Sequence, residues 1–369
     1  MNHVVRVVYS APTHTEGIQT MPTECHRIDN ANGVYMYADS RKDAWHQLGQ
    51  QVSRTMTAEE VLSASHLAGW DVRKMPISIP QDPIITIDGV TTPPAIIVPD
   101  RYATVRTNPI TKEIDYLGIV GDRYEPVQNE ASCDLLNAIV DESGAHFETA
   151  GALYDGRQTF VTMKLPKVMD IAGIDGRVDR TEWYLAALNS HDGSSALRVI
   201  LTGVRIVCAN TQRWALKGAQ SSFSVRHTKN AKANIAEARR LLGITWQSIG
   251  TIDAEFRRMA EAEMSNIEAE EFVRKLLKAD DVEPGTAAAT RRDNVANDIF
   301  DLFVSSETIA PVRGTRYALY NAFTEYQDHY AAVRGAGGRD ADARALRTIR
   351  DAESETSLKA RAFRGLQLV

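Results

Sequence analysis

Between Gly193 and Ala236 the chain carries Arg198, Arg205, Arg213, Lys217, Arg226, Lys229 and Lys232, and no aspartate or glutamate. That is +7 locally in a chain of net charge −6, so the remaining residues sum to −13. Trp214, Phe223 and His227 stand among these cations. Arginine and lysine hold phosphates, and aromatic faces stack bases. Such a composition suits a surface for single-stranded nucleic acid. The candidate contacts are the seven cations, with Trp214 and Phe223 to stack or wedge bases. The same cations could instead pair with acidic helices of the same chain, for which the run Glu255–Glu271 supplies carboxylates.

Two further clusters could do chemistry. In Asn189-Ser-His-Asp-Gly-Ser194, His191 beside Asp192 offers a base with its orienter, or two metal ligands. The same six residues also read as a hairpin turn. Asp192-Gly193 supplies the left-handed geometry, and the flanking polar side chains satisfy loop backbone, and this is the favoured reading. Cys208 follows an apolar strand. It is a nucleophile only if a histidine lies beside it, and otherwise a small core residue. A hydrolase or transferase built on His191, Asp192 and Cys208 is therefore one reading. There is no phosphate-binding G-x-x-x-x-G-K-[ST], no G-x-S-x-G and no H-E-x-x-H. No catalytic residue, metal ligand or cofactor is assigned on this basis, and a non-enzyme is favoured.

The elements that position these residues follow from pattern. Residues 1–40 are polar and irregular and read as an N-terminal arm. Thr57-Ala-Glu-Glu60 is a capping box opening a helix expected to end at Gly69. The proline-rich stretch 76–100 reads as short edge strands and turns. Tyr102–Arg106 and Ile114–Val120 flank an Asn108-Pro109 turn, and a helix carries Leu135, Leu136, Ile139 and Val140. Strands 146–153 and 159–165 are joined at Asp155-Gly156, and strands 182–188 and 196–207 at Asp192-Gly193. Arg198 and Arg205 have opposite parity unless Gly203 marks a bulge.

From about Asn230 the period becomes helical, with helices near 287–304 and 314–332. The last carries an aromatic stripe, Tyr317, Tyr320, Phe323, Tyr326 and Tyr330. The expected fold is α+β. An antiparallel sheet with packed helices fills the N-terminal two thirds, and the C-terminal third is mostly helical, a domain of its own or a set of covering helices. The expected units are the arm at 1–40, an α+β core at 41–228, a helical domain at 229–333, and a flexible charged tail at 334–369.

At 369 residues, 43% hydrophobic and 24% charged, the chain can bury a sizeable core unaided. Cys25, Cys133 and Cys208 are widely spaced and odd in number, which suits a reducing compartment. Met1–Val8 carries Arg6 and lacks the apolar core of a secretion signal, and no stretch has the length of a membrane span. A cytoplasmic protein is expected, with no membrane partner.

Several segments together resemble the phage/plasmid-like protein family known as domain of unknown function 932. They are Trp45-His-Gln-Leu-Gly49, Val120–Asn129, Gly151–Arg157, Tyr184–Ser194, Val204–Thr211, Arg226–Asn230 and Thr324–His329. The resemblance runs in order from residue 45 to about 330. It implies a mobile-element setting in a bacterial host cell and transfers no catalytic residue. The expected order of a helix, antiparallel strands and a basic helical segment is similar to the core of RecT/Erf-type single-strand annealing proteins. That similarity implies ATP-independent annealing of single-stranded DNA, with the protein as a homo-oligomer. A protein-interaction factor acting on a host process, with its basic segment paired internally and the aromatic helix as partner surface, is the alternative.

Overall fold

The computed structural model describes residues 28–40, 50–86, 89–139, 144–173, 176–205, 211–212, 222–227, 245–332 and 356–367. In chain order, β1 (Asn30–Ala31), β2 (Val34–Tyr35), β3 (Tyr37–Asp39) and β4 (Gln50–Gln51) precede α1 (Ala58–Ala64). Then come β5 (Arg73–Ile79), β6 (Ile84–Thr86), β7 (Gly89–Thr91), β8 (Ile96–Thr107), β9 (Ile114–Gly121) and α2 (Asn129–Ile139). The long strands β10 (His146–Leu153), β11 (Gln158–Ala172), β12 (Val178–Ser190) and β13 (Leu197–Arg205) follow, with short β14 (Thr211–Gln212) and β15 (Ser222–Val225). The helices α3 (Thr245–Glu261), α4 (Asn266–Leu277), α5 (Ala287–Ser305), α6 (Arg316–Glu325) and α7 (Leu358–Leu366) complete an α+β fold.

The central sheet runs β14-β13-β12-β11-β10-β3-β4, with β15 also on β13. Its neighbours are antiparallel except β3 and β4. In β13, Leu197, Val199, Ile200 and Leu201 are all buried, so both faces of the strand are covered. On one face Ile200 packs with Leu188, Phe160 and Tyr37. On the other, Val199 and Leu201 join the main core with Trp183, Leu185 and Met163. The β12–β13 register is unbroken from Leu188↔Arg198 to Thr181↔Arg205. No bulge intervenes at Gly203, so position 198 shares a face with Ile200, and position 205 falls on the opposite face.

The main core also takes in the helices, among them Phe256, Phe303, Tyr317, Phe323 and Phe363. One cluster of buried apolar side chains therefore takes in both the sheet and the helices, the arrangement expected of helices that cover the sheet. The aromatic stripe of α6 lies inside it. Tyr317 and Tyr320 are fully buried against Phe256, at ring separations of 5.3 and 5.4 Å. A partner surface on this helix is excluded by that burial. Only Tyr330 faces solvent, because residues Tyr326–Tyr330 wind as a wider five-residue turn that rotates it off the buried face.

Three expected boundaries shift. Residues 28–40 belong to the body: Met36, Tyr37 and Ala38 are buried and β3 is a strand of the central sheet. Residues 356–367, assigned from composition to a flexible tail, include α7, which buries Ala362, Phe363 and Leu366 and an ion pair between Lys359 and Asp328. Helix α1 has the full capping box but stops at Ala64. There Ser65 returns its hydroxyl to Val61 O (2.6 Å) and His66 turns left-handed (φ 55°), short of the expected stop near Gly69.

The expected 102–106/114–120 hairpin forms as part of a separate three-stranded sheet, β5-β8-β9, which carries the β6–β7 hairpin between β5 and β8. Asn108 closes its turn by accepting from Ile110 N and Thr111 N. No helix among the described residues is long and apolar enough to cross a membrane.

Candidate functional site

The Asn189–Ser194 segment is a turn, as favoured, and its polar groups are committed to it. Gly193 takes φ 76°. Asp192 Oδ1 accepts from Ser190 Oγ (2.6 Å) and from Ser194 N (2.9 Å). Burial alone would raise the Asp192 carboxyl, but these bonds together outweigh it and hold the group below the usual carboxylate range. Asn189 reaches out of the turn and donates to Val127 O (2.9 Å).

His191 is fully buried. Its backbone N–H donates to Arg157 O (2.8 Å), and its Nε2 lies 2.8 Å from Asn129 Oδ1. The Asn129 amide is oriented by its Nδ2 donating to Leu67 O (3.0 Å), and its Oδ1 also accepts from Thr159 Oγ1 (3.1 Å). That oxygen only accepts, so His191 Nε2 carries the proton and Nδ1 is the bare acceptor. Burial first, then the charges of His227 and Arg106, push the imidazole down to about 3. His191 is a neutral structural imidazole, and it shares no hydrogen bond with Asp192. A base–orienter pair is therefore not formed.

Neighbouring elements lock onto this turn. Trp70 packs 5.7 Å from the His191 ring, and the Arg106 guanidinium lies 4.0 Å over the Trp70 ring. Arg106 is itself 1% exposed, paired with Asp29 and Asp115. Tyr124 donates to Ser190 O (3.0 Å) and stacks on His227 at 4.9 Å. Glu125 N donates to His227 O (3.0 Å), and burial lowers the His227 imidazole to about 4. Gly118 of β9 is pressed against the turn: a Cβ there would meet Asp192 Cα at 2.6 Å. The glycine lets the β5-β8-β9 sheet sit directly on the central sheet's turn.

The surface of this hub carries cations. Arg123, Arg157 and Arg226 are exposed, and none pairs with a carboxylate among the described residues. Each is tied to the hub. Arg123 precedes Tyr124, Arg157 supplies the carbonyl that holds His191, and Arg226 precedes His227. Asp122 and Asp155 are exposed beside them. Among the described residues no group of three His, Cys, Asp or Glu could hold a metal ion.

Of the residues expected from sequence to bind nucleic acid, Arg226 lies on this rim. Arg198 is half-buried in β13 and has interactions of its own. Arg205 and Phe223 are placed on β13 and β15. Arg213, Lys217, Lys229, Lys232 and Trp214 lie outside the described residues, as do Cys208 and Trp45–Gly49. The carboxylates Glu255 and Glu268 of the acidic run engage Arg258 and Ser265 locally.

Sequence reasoning missed Trp70, Arg106, Tyr124 and Asn129 as partners of the turn. A signal for Tyr124 and Asn129 was present in the segments that carry the family resemblance. Val120–Asn129, Gly151–Arg157, Tyr184–Ser194 and Arg226-His227 lie far apart in the chain and converge here. The family described as Domain of unknown function (DUF932) matches residues 116–353, which include the turn, Tyr124, Asn129, Arg157 and His227 and the central sheet from β10 onward, but not Trp70 or Arg106. No curated protein and no solved structure matches the chain.

Proposed function

Because the chain belongs to the family described as Domain of unknown function (DUF932), a description that names no activity, we propose a function from the site itself. The protein binds single-stranded DNA at the rim of the hub. It is phage- or plasmid-encoded and serves recombination or replication by pairing strands without ATP. One observation carries this reading: Arg123, Arg157 and Arg226 stand exposed and unpaired among the described residues, and Arg123 and Arg226 adjoin in sequence the stacked Tyr124–His227 pair. In sequence, Arg226 belongs to the Gly193–Ala236 stretch, whose net charge is +7. Unpaired surface cations held on rigid backbone are what phosphate contacts require.

The test is binding of a labelled single-stranded oligonucleotide across a salt series, beside the matching duplex. Three phosphate contacts at roughly 0.7 each give a log–log slope of about −2 from the rim alone. Binding should favour the single strand. Replacing Arg123, Arg157 and Arg226 by alanine should flatten the slope by about 2. No binding at low salt, or a slope unchanged by the triple substitution, overturns the reading. A fluorescence strand-pairing assay without ATP then tests annealing.

A further inference from the structure

Glycine follows aspartate or asparagine at Asn32-Gly33, Asp88-Gly89, Asp155-Gly156, Asp175-Gly176 and Asp192-Gly193. A glycine has no side chain to shield its amide nitrogen. That nitrogen can therefore reach the preceding side-chain carbonyl carbon and close a five-membered ring. In a fold the attack is blocked by a hydrogen bond that holds either the glycine N–H or the side chain it would strike. Asn32-Gly33, Asp155-Gly156 and Asp192-Gly193 have both residues described. At the first, Gly33 N donates to Asn30 Oδ1 (3.1 Å). At the last, Ser190 Oγ and Ser194 N hold the Asp192 carboxylate. Those bonds also keep it ionised, and an ionised carboxylate is a poor target for a nucleophile. At Asp155-Gly156 neither block exists among the described residues. Asp155 is exposed, its carboxylate makes no hydrogen bond or ion pair, and Gly156 N donates to nothing.

The turn geometry favours the attack. Arg157 N donates to Tyr154 O (3.2 Å) and closes a four-residue turn between β10 and β11. Asp155 and Gly156 at its centre take φ 58° and 80°. Positive φ at both central positions is the type I′ turn. The type II′ turn keeps only the first φ positive and differs by a flip of the peptide between the two central residues. That flip leaves the Arg157–Tyr154 bond in place. It breaks no other bond among the described residues, because neither Gly156 N nor Asp155 O has a partner. It carries Asp155 ψ to about −120°, which swings Gly156 N to the side of the Asp155 side chain.

We propose that Asp155 is a modification site, converting to isoaspartate without an enzyme in the folded protein. Gly156 N attacks Asp155 Cγ in its protonated, uncharged form. The N–Cγ bond forms, the Cγ–OH bond breaks, and the hydroxyl leaves with the amide proton as water. Water then opens the ring at the backbone carbonyl, so the chain continues through the side chain and the old backbone carbonyl becomes the free carboxylate. One water leaves and one returns, and the charge is unchanged. The turn gains one backbone carbon, and the hub has no space for it. A Cβ added at Gly156 would already collide with the Arg106 guanidinium, and would lie 3.2 Å from Trp70. Arg157, the next residue, holds the His191 N–H through its carbonyl. The conversion therefore loosens the hub from its surface inward.

The test is to age the full chain at mildly acid pH, folded and, in parallel, unfolded in guanidinium chloride. Peptide mapping with electron-transfer fragmentation distinguishes aspartate from isoaspartate and gives a rate at each site. In the fold Asp155 should react within about threefold of its unfolded rate, as an exposed turn that opens at almost no cost. Asn32 and Asp192 should be slowed at least about tenfold by folding, since a hydrogen bond must break first. Folding that slows Asp155 as much as Asp192 overturns the proposal. Asp155→Glu moves the carboxyl one carbon further out, so the five-membered ring cannot close. The urea midpoint of aged wild-type protein should fall in proportion to its isoaspartate at position 155, and that of aged Asp155→Glu should hold. A midpoint that stays put with Asp155 converted, or that falls equally in both proteins, overturns the loosening of the hub.

Discussion

Strand β8 joins two regions that obey opposite rules. It begins with Ile96 and Ile97, 52% and 60% exposed, and ends with Val105 and Arg106, 6% and 1% exposed. At one end isoleucine faces water, and at the other a guanidinium sits inside. The buried end is tolerable because each charge finds a partner: Asp29, Asp115 and the face of Trp70 surround Arg106. The exposed end has no such compensation within the described chain. A buried charge is explained by looking inward along the hydrogen bonds. The exposed aliphatic row finds no such account among the described residues.

The largest effect should come from breaking the inward half of that comparison. Arg106→Ala removes the cation that faces Asp29. Burial already raises the Asp29 carboxyl, and the Arg106 hydrogen bond opposes that rise. Without Arg106 the Asp29 charge is stranded, and a buried pair broken on one side costs about 3–5 kcal/mol. Urea unfolding should show that loss in the midpoint. Pairing Arg106→Leu with Asp29→Leu should recover part of it, since the buried carboxylate is removed along with the cation. A loss under about 1 kcal/mol would mean that water reaches the pair and that the hub is far looser than its geometry.

A smaller effect should follow from pH. His191 and His227 are pushed down from 6.5 to about 3 and about 4, chiefly by burial. In the unfolded chain both gain a proton near pH 6.5, while in the fold both stay neutral. Stability is therefore full above that pH and falls as the pH drops toward the folded values. Each histidine contributes a slope of about 1.4 kcal/mol per pH unit. From about pH 6 to pH 5 the carboxylates that the fold holds low are still ionised in both states, and Asp29, raised by burial, acts in the opposite direction to the histidines. His227→Gln should roughly halve the decline of unfolding free energy across that interval. An unchanged decline would place the titration elsewhere.

How much of this was legible depended on the range of the chemistry. The Thr57–Glu60 box, the Asp192-Gly193 turn and the apolar run of β13 are written within a few neighbouring residues, and all three form. The α+β class followed from the same local periods. The hub was not legible as a hub, because its bonds span the sequence: Asn129 and His191 are 62 residues apart. Only the resemblance of separate segments hinted that they meet. Composition misled at both ends. The three-residue strand β3 is too short to show a period, and the charges around α7 masked Ala362, Phe363 and Leu366 at helical spacing. Exposure of Ile84, Ile85, Ile96 and Ile97 was also hidden, because paired isoleucines read the same whether they face a core or water.

The smallest effect should come from the outward end, and its smallness is the point. Ile85 is 80% exposed and pairs only with Val90 across the β6–β7 hairpin. Replacing it with aspartate removes almost no buried area and strands no polar group. Its effect on unfolding free energy should stay within about 0.5 kcal/mol. A cost of about 2 kcal/mol or more would show that another part of this same chain covers the hairpin. The apolar row would then be core, and the contrast between the two ends of β8 would dissolve. A negligible cost beside a large Arg106→Ala penalty would leave the contrast as drawn, a strand with a structural end and an end that the fold does not need.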